Sequence, residues 1–426
     1  MSSDSLLARR ERFLGAGAEL FYDKPIQLVR GEGAYLFDEN GNRYIDFYNN
    51  VPSVGHGNPV VAEAIYNQQR LLNVHSRYLS EGVVRYAERL AAIHDPAIES
   101  FVFSCTGTEA NEIAIQIARL ATGNRGILCT DAAYHGSSDL VGRLTNIGDR
   151  QPPESEIQAF PFPDMFRPIQ PGLSQAELGD AYLARIRQAI QKLEASGAGV
   201  AALLACSIFA NEGLPDLPDD FMSRVAELVQ SAGGLMIADE VQAGFGRTGE
   251  WWGYQSVGFR PDIVTMGKPM GNGVPVSGTG ASRALVEHFR AATDHFNTFA
   301  SSPLQAAAGM AVLDVMEEGK LLENARRVGE TLKDGLTRIT RDYSCVGEVR
   351  GRGLFVVVEI VADGTHNPDP VKAAAMSDRL KDLGFLTAAA GAYKNLVKVR
   401  PPLVVSNDDA EALIEAFKRV LEETHA

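Results

Sequence analysis

Lys268 closes a short apolar run and opens a loop with two glycines, in Asp262-Ile263-Val264-Thr265-Met266-Gly267-Lys268-Pro269-Met270-Gly271-Asn272-Gly273. Earlier in the chain, Leu235-Met236-Ile237-Ala238-Asp239-Glu240-Val241-Gln242 sets an acid at the end of another apolar run. A lysine amine condenses with an aldehyde to an imine. A carboxylate keeps a pyridine nitrogen protonated, so that the ring accepts electrons. Taken singly, the two residues are better described as a surface lysine and a capping aspartate. Placed at the ends of two buried strands, they are what a pyridoxal 5'-phosphate site needs.

Other residues could complete such a site. Ser104-Cys105-Thr106-Gly107-Thr108-Glu109-Ala110-Asn111-Glu112 joins a strand to a helix. Thr106 and Glu109 have the spacing of a capping box. A helix start reached through Gly107 offers free N–H groups and a positive dipole end, which suit a phosphate, although by itself the pattern reads first as an ordinary helix cap. Tyr134-His135-Gly136 brings an aromatic that could lie against a planar ring, and His295-Phe296-Asn297-Thr298-Phe299-Ala300 brings a hydroxyl in a turn-rich stretch.

The elements that must position these residues alternate. Ser100–Phe103, Gly126–Cys129, Val200–Leu204, Leu235–Ala238 and Asp262–Val264 read as strands. Helical periodicity runs near Glu109–Leu120, Asp180–Glu194 and Asp219–Ala232. Near-continuous apolar strands separated by helices predict an α/β fold with a parallel sheet covered on both faces. Ala34–Phe37 and Tyr44–Phe47 flank Asn40-Gly41 and predict a hairpin. The proline-rich stretch Gln151–Gly172 predicts a long surface loop. Beyond residue 305 a long helical stretch precedes a strand at Gly353–Glu359. A final helix is capped by Ser406-Asn407-Asp408-Asp409, with Leu413, Ile414, Phe417, Val420 and Leu421 on one face. The simplest organisation has residues 59–308 as a large domain. Residues 1–58 and 309–426, the two chain ends, form a smaller one.

Composition narrows the function classes. Apolar residues make up 45% of the 426, enough for a large core. The net charge of -14, with scattered basic residues, argues against a nucleic-acid surface. Four cysteines (Cys105, Cys129, Cys206, Cys345) lie too far apart for a zinc motif and fit a reducing compartment. The eight histidines include no closely spaced pair that would suggest a metal site. No stretch approaches the roughly 18 apolar residues of a membrane helix. The first twelve residues lack the apolar run of a signal peptide, so a soluble cytoplasmic protein is expected.

Together the motifs resemble the class III aminotransferases. Gly107-Thr108-Glu109-Ala110-Asn111, Tyr134-His135-Gly136, the run from Asp239 to Gly249 and Lys268 carry the resemblance. Gly55-His56-Gly57-Asn58-Pro59 and Val349-Arg350-Gly351-Arg352-Gly353-Leu354 extend it. It covers about residues 25 to 422 and implies the fold type I architecture of pyridoxal-phosphate enzymes, with sites shared across a homodimer. By this resemblance Lys268 is the Schiff-base lysine and Asp239 the partner of the ring nitrogen. Gly107 and Thr108 hold the phosphate, Tyr134 stacks on the ring, and Gln242 lies near the phenolic oxygen. Thr298 reaches the phosphate in the neighbouring subunit, although Ala300-Ser301-Ser302-Pro303 replaces the usual Gly-Gly-Asn-Pro.

Two departures bear on substrate. In Lys398-Val399-Arg400-Pro401-Pro402, Lys398 stands where many relatives have a carboxylate-binding arginine, and Cys206 stands where they have its glutamate partner. An ammonium does not reproduce the bidentate grip of a guanidinium. The expectation is transfer of an amino group from an amine or amino acid to a keto acid, with pyruvate favoured over 2-oxoglutarate. The lysine form of that motif, with Leu72-Asn73-Val74-His75-Ser76-Arg77-Tyr78, also resembles the branch containing phosphoamine phospho-lyases. A phospho-lyase and an amino-acid racemase are therefore the alternatives, and Tyr48, Arg77, Lys398 and Arg400 are the candidate substrate contacts.

Overall fold

The computed structural model describes residues 5–146 and 156–425. A seven-stranded sheet forms the centre, ordered Ser100–Ser104, Ser277–Ala281, Ile263–Met266, Leu235–Asp239, Val200–Cys206, Gly126–Thr130 and Ile157–Phe160. All neighbours run parallel except Ser277–Ala281, which is antiparallel to both strands beside it. Val200–Cys206 is buried at every position, as expected of a strand with helices on both faces. Thr106 caps the helix Gly107–Thr122 through a complete capping box with Glu109, and Ala110, Ile113, Ala114 and Ile117 turn its buried face to the sheet.

The chain ends meet outside this layer. Leu28–Glu32, Tyr35–Asp38 and Arg43–Asp46 form an antiparallel meander, and Phe385–Leu386 joins it parallel to Ile45–Asp46. The hairpin expected around Asn40-Gly41 is its second turn, between Tyr35–Asp38 and Arg43–Asp46. A second sheet holds Val346–Arg352, Phe355–Ile360, Leu396–Val399 and Ala388–Ala390. The helices Pro303–Glu318 and Leu321–Thr340 divide at Gly319 and left-handed Lys320. Asn407–His425 ends the chain with its five predicted apolar residues buried, and Ser406 and Asp409 exchange hydrogen bonds at its start.

One expectation is corrected. The stretch Gln151–Gly172 is not loop throughout, because Ile157–Phe160 is a strand pairing parallel with Ile127–Thr130 at the sheet edge. Pro161 follows the strand directly, and an edge position tolerates nearby prolines that a central strand would not. Residues 151–155 lie outside the described residues.

Candidate active site

Parallel strands bring their carboxyl ends to one edge, and in such sheets ligands bind there. Asp239 ends Leu235–Asp239, Cys206 ends Val200–Cys206, and Lys268 follows Ile263–Met266 as the first residue of a single 3₁₀ turn. Gly107 and Thr108 open the helix after Ser100–Ser104, and Tyr134 follows Gly126–Thr130. Gly107, Thr108, Tyr134, Asp239, Gln242 and Lys268 all line one cavity of about 140 Å³.

Asp239 is buried and fully engaged on one side. Its Oδ2 accepts from Asn111 Nδ2 at 3.0 Å and pairs with His135 Nδ1 at 2.7 Å; its Oδ1 accepts from the Val241 N–H at 3.1 Å. Burial alone would raise this carboxyl, but the hydrogen bond and charge of His135, with the hydrogen bonds from the Val241 N–H and Asn111, outweigh it and hold the group below its ordinary value. Thr265 Oγ1 donates to Asn111 Oδ1 at 2.7 Å, which fixes the amide with its nitrogen toward Asp239. Burial lowers the Lys268 ammonium below its ordinary value, with Asp239 opposing the shift and Arg400 adding to it. A lysine pushed toward its neutral form is the form that attacks an aldehyde.

The backbone around the helix start is tight. A Cβ on Gly107 would sit 2.9 Å from Val241 Cγ2, so glycine is what allows the helix end to approach the Asp239 strand. Gly136, at φ 142°, would meet Thr108 Oγ1 at 2.6 Å. The first N–H groups of a helix have no partner within it. With spare acceptor capacity on Asp239 Oδ1 and no partner for the buried His135 Nε2, the pocket offers a phosphate cradle, an acid for a ring nitrogen and a lysine. These residues fit pyridoxal phosphate.

Lys398 and Arg400 stand beside this pocket, carried by Leu396–Val399 and the residue after it. Both are buried. Lys398 Nζ donates to the Ala210 carbonyl at 3.0 Å, and burial followed by Arg400 pulls its pKa down to about 7. Arg400 Nε donates to the Tyr48 carbonyl at 3.1 Å, its Nη1 donates to Gln242 Oε1, and the Tyr48 ring lies 5.0 Å from its guanidinium carbon. Cys206 lines the cavity as well. Two candidates lie elsewhere. Thr298 is exposed and lines a separate cavity with Asn73, His75 and Tyr78, and Arg77 stacks over Phe296 at 4.4 Å. One chain therefore does not bring Thr298 and Arg77 to Lys268.

Four residues here escaped the sequence reading. Asn111 and His135 sit inside quoted motifs, yet their role runs through Asp239. Asn211 bridges Gln242 and the Tyr134 carbonyl, and Glu212 is a buried carboxyl holding Thr130 Oγ1 at 2.5 Å, raised by burial. The only signal for Glu212 is an acid six positions after Cys206 on a mostly apolar segment.

Comparison with known proteins agrees with this geometry. Residues 21–421 match the family model for aminotransferase class-III. Alanine-glyoxylate aminotransferase 2 homolog 2, mitochondrial, of Arabidopsis thaliana is 34% identical, covering 98% of this chain and 87% of that protein. Ethanolamine-phosphate phospho-lyase homolog 1 of Caenorhabditis elegans is 33% identical, covering 99% and 94%. Among solved structures, a phospholyase from Arthrobacter in complex with phosphoethanolamine superposes with a TM-score of 0.94 at 41% identity, covering 98% of this chain and 99% of that one.

Proposed function

The chain belongs to the class III aminotransferases, enzymes that use pyridoxal phosphate, and from that premise we propose that it eliminates phosphate from an amino-alkyl phosphate. The observation that carries this reading is the pair of buried cations, Lys398 and Arg400. Their hydrogen-bond partners are neutral oxygens of Ala210, Tyr48 and Gln242. Buried cations without a carboxylate at contact distance among the described residues are short of counter-charge, and a dianionic phosphate supplies it through charge-assisted bonds. The likeness to the Arthrobacter phospholyase supports the same reading.

When bound, pyridoxal phosphate supplies an electron-poor ring that stabilises negative charge on the carbon next to the amine. Asp239 would hold the proton on the ring nitrogen, and Tyr134 and Gln242 would line the ring site. Gly107 and Thr108 would hold the cofactor's phosphate. Lys268 would hold the cofactor, and its amine is placed to take the proton from the substrate carbon that bears nitrogen. Lys398 and Arg400, with Tyr48 beside them, hold the substrate phosphate as its C–O bond breaks on the neighbouring carbon. Addition of water completes the balance: the amino-alkyl phosphate yields an aldehyde, ammonia and inorganic phosphate.

Thr298 and Arg77 belong, in this proposal, to the site of a second copy, so the enzyme works as a homodimer. Exposed Leu71, Leu72, Tyr78, Leu79 and Phe299 near them offer the apolar surface such a contact buries. The test of function is phosphate and aldehyde release from phosphoethanolamine with no keto acid present. Amination of pyruvate without phosphate release would overturn it.

Transamination is the second reading, favoured by the likeness to the Arabidopsis aminotransferase homolog. With Lys398 and Cys206 replacing the arginine–glutamate pair, it carries its own expectation. kcat/KM for pyruvate should exceed that for 2-oxoglutarate ten- to a hundredfold, the worth of a charge-assisted bond of about 1.5–3 kcal/mol.

A further inference from the structure

The segment after Cys206 is a buried knot between three candidate site residues. Phe209 and Leu214 have φ of 51° and 55°, a left-handed conformation that costs a bulky residue energy and clusters at functional sites. The C-terminal sheet grips this segment, since Arg350 Nε donates to the Gly213 carbonyl at 2.7 Å. At its tip Asn211 Oδ1 accepts from Gln242 Nε2 at 2.9 Å, and Asn211 Nδ2 donates to the Tyr134 carbonyl at 3.2 Å. Gln242 Oε1 in turn accepts from Arg400 Nη1. A guanidinium only donates and a carbonyl only accepts, so the two amides between them have one orientation that satisfies every bond. The result is a directional chain from Arg400 through Gln242 and Asn211 to the loop that carries Tyr134.

We propose that Asn211 is a positioning residue that links the binding of an anion at Arg400 to the seating of the cofactor ring. An anion accepting from the Arg400 guanidinium draws its charge away from the bond to Gln242 Oε1. Gln242 is then held less firmly, and the change passes through Asn211 to the backbone that holds Tyr134. Two sites joined by a shared hydrogen-bond chain respond to each other reciprocally. The inference rests on the proposed placement of the substrate anion at Arg400 and of the cofactor against Tyr134 and Gln242.

The experiment titrates holoenzyme with inorganic phosphate, reading binding by calorimetry and cofactor environment by visible circular dichroism. In the natural protein, phosphate binds and changes the dichroic band. Asn211→Leu, close in volume but without polar atoms, should still bind phosphate, its affinity changed by no more than the coupling it removes. Its dichroic response should fall about fivefold or more. Asn211→Asp keeps the acceptor for Gln242 but loses the donor to Tyr134, and should lose the response equally, which serves if the leucine variant does not fold. A response in either folded variant equal to that of the natural protein overturns the proposal. So does the absence of phosphate binding, or of a dichroic response to bound phosphate, in the natural protein. Phosphate release from phosphoethanolamine is measured separately. If it fails while the Asn211-dependent response holds, the phospho-lyase reading falls and the link stands.

Discussion

Asp239 owes its charge to its neighbours. A carboxylate and a ring N–H about 4 Å apart, at an effective dielectric near 20, attract by roughly 4 kcal/mol. Asp239→Asn should therefore slow the proton-transfer step about a thousandfold at saturating cofactor, read in a single-turnover spectral trace. A variant within tenfold of the natural rate would mean that another group supplies the charge. His135→Leu is a subtler probe. His135 lowers the Asp239 pKa, so its removal lets burial raise it. The acid limb of the kcat profile should then move to higher pH, and an unmoved limb would deny His135 that role. Borohydride should fix the cofactor on Lys268, and a label mapped to another lysine would overturn the site. Lys268 and Asp239 were legible because each ends an apolar run, a one-dimensional signal. Asn111 and His135 were not, because what matters in them is a hydrogen bond across 128 and 104 residues.

Elements set how closely these groups approach. Gly107→Ala would force its Cβ against Val241 at the junction of strand and helix. The expected result is a folded protein whose cofactor dissociation constant rises about tenfold, as for loss of roughly 1.4 kcal/mol; unchanged affinity would place the phosphate elsewhere. The strand Leu396–Val399 shows the opposite economy. Its Lys398 has a folded pKa of about 7, below the roughly 10.4 of an unfolded lysine. Between those values the unfolded chain binds more protons, so stability rises with pH and is poorest below 7. Lys398→Met should stabilise the fold by roughly 1–4 kcal/mol, more at about pH 6 than at about pH 9, while abolishing anion binding. Equal melting curves for the two proteins at both pH values would mean that the charge is not buried. Periodicity made Leu413 and its partners readable as a helix face. It could not reveal Ile157–Phe160, since four residues between prolines carry too little pattern and the strand exists only through its neighbour.

At the scale of the whole molecule, the proposed homodimer makes a strict demand. If Thr298 completes the site of a second copy, Lys268→Ala and Thr298→Ala chains are each inactive alone. Their mixed dimer regains one intact site of two. No recovery after confirmed subunit exchange would return Thr298 to its own subunit or remove it from the site. The alternation of strands and helices told that the sheet is mostly parallel, without showing that Ser277–Ala281 runs against its neighbours, and the motifs told which family it belongs to. Neither told that Phe385–Leu386 joins the amino-terminal meander, because a two-residue strand has no period.

The antiparallel strand Ser277–Ala281 has a consequence in time. It is the sheet neighbour of Ser100–Ser104, and Ser104 meets Ser277 across 173 residues. At about 5–20 residues per second on the ribosome, the earlier strand waits roughly ten to thirty-five seconds for its partner. During that interval its backbone edge is open to any other strand nearby. Lys268 emerges only just before the strand that closes the gap. The cradle at Gly107 is thus synthesised long before Lys268 can lock a cofactor into it.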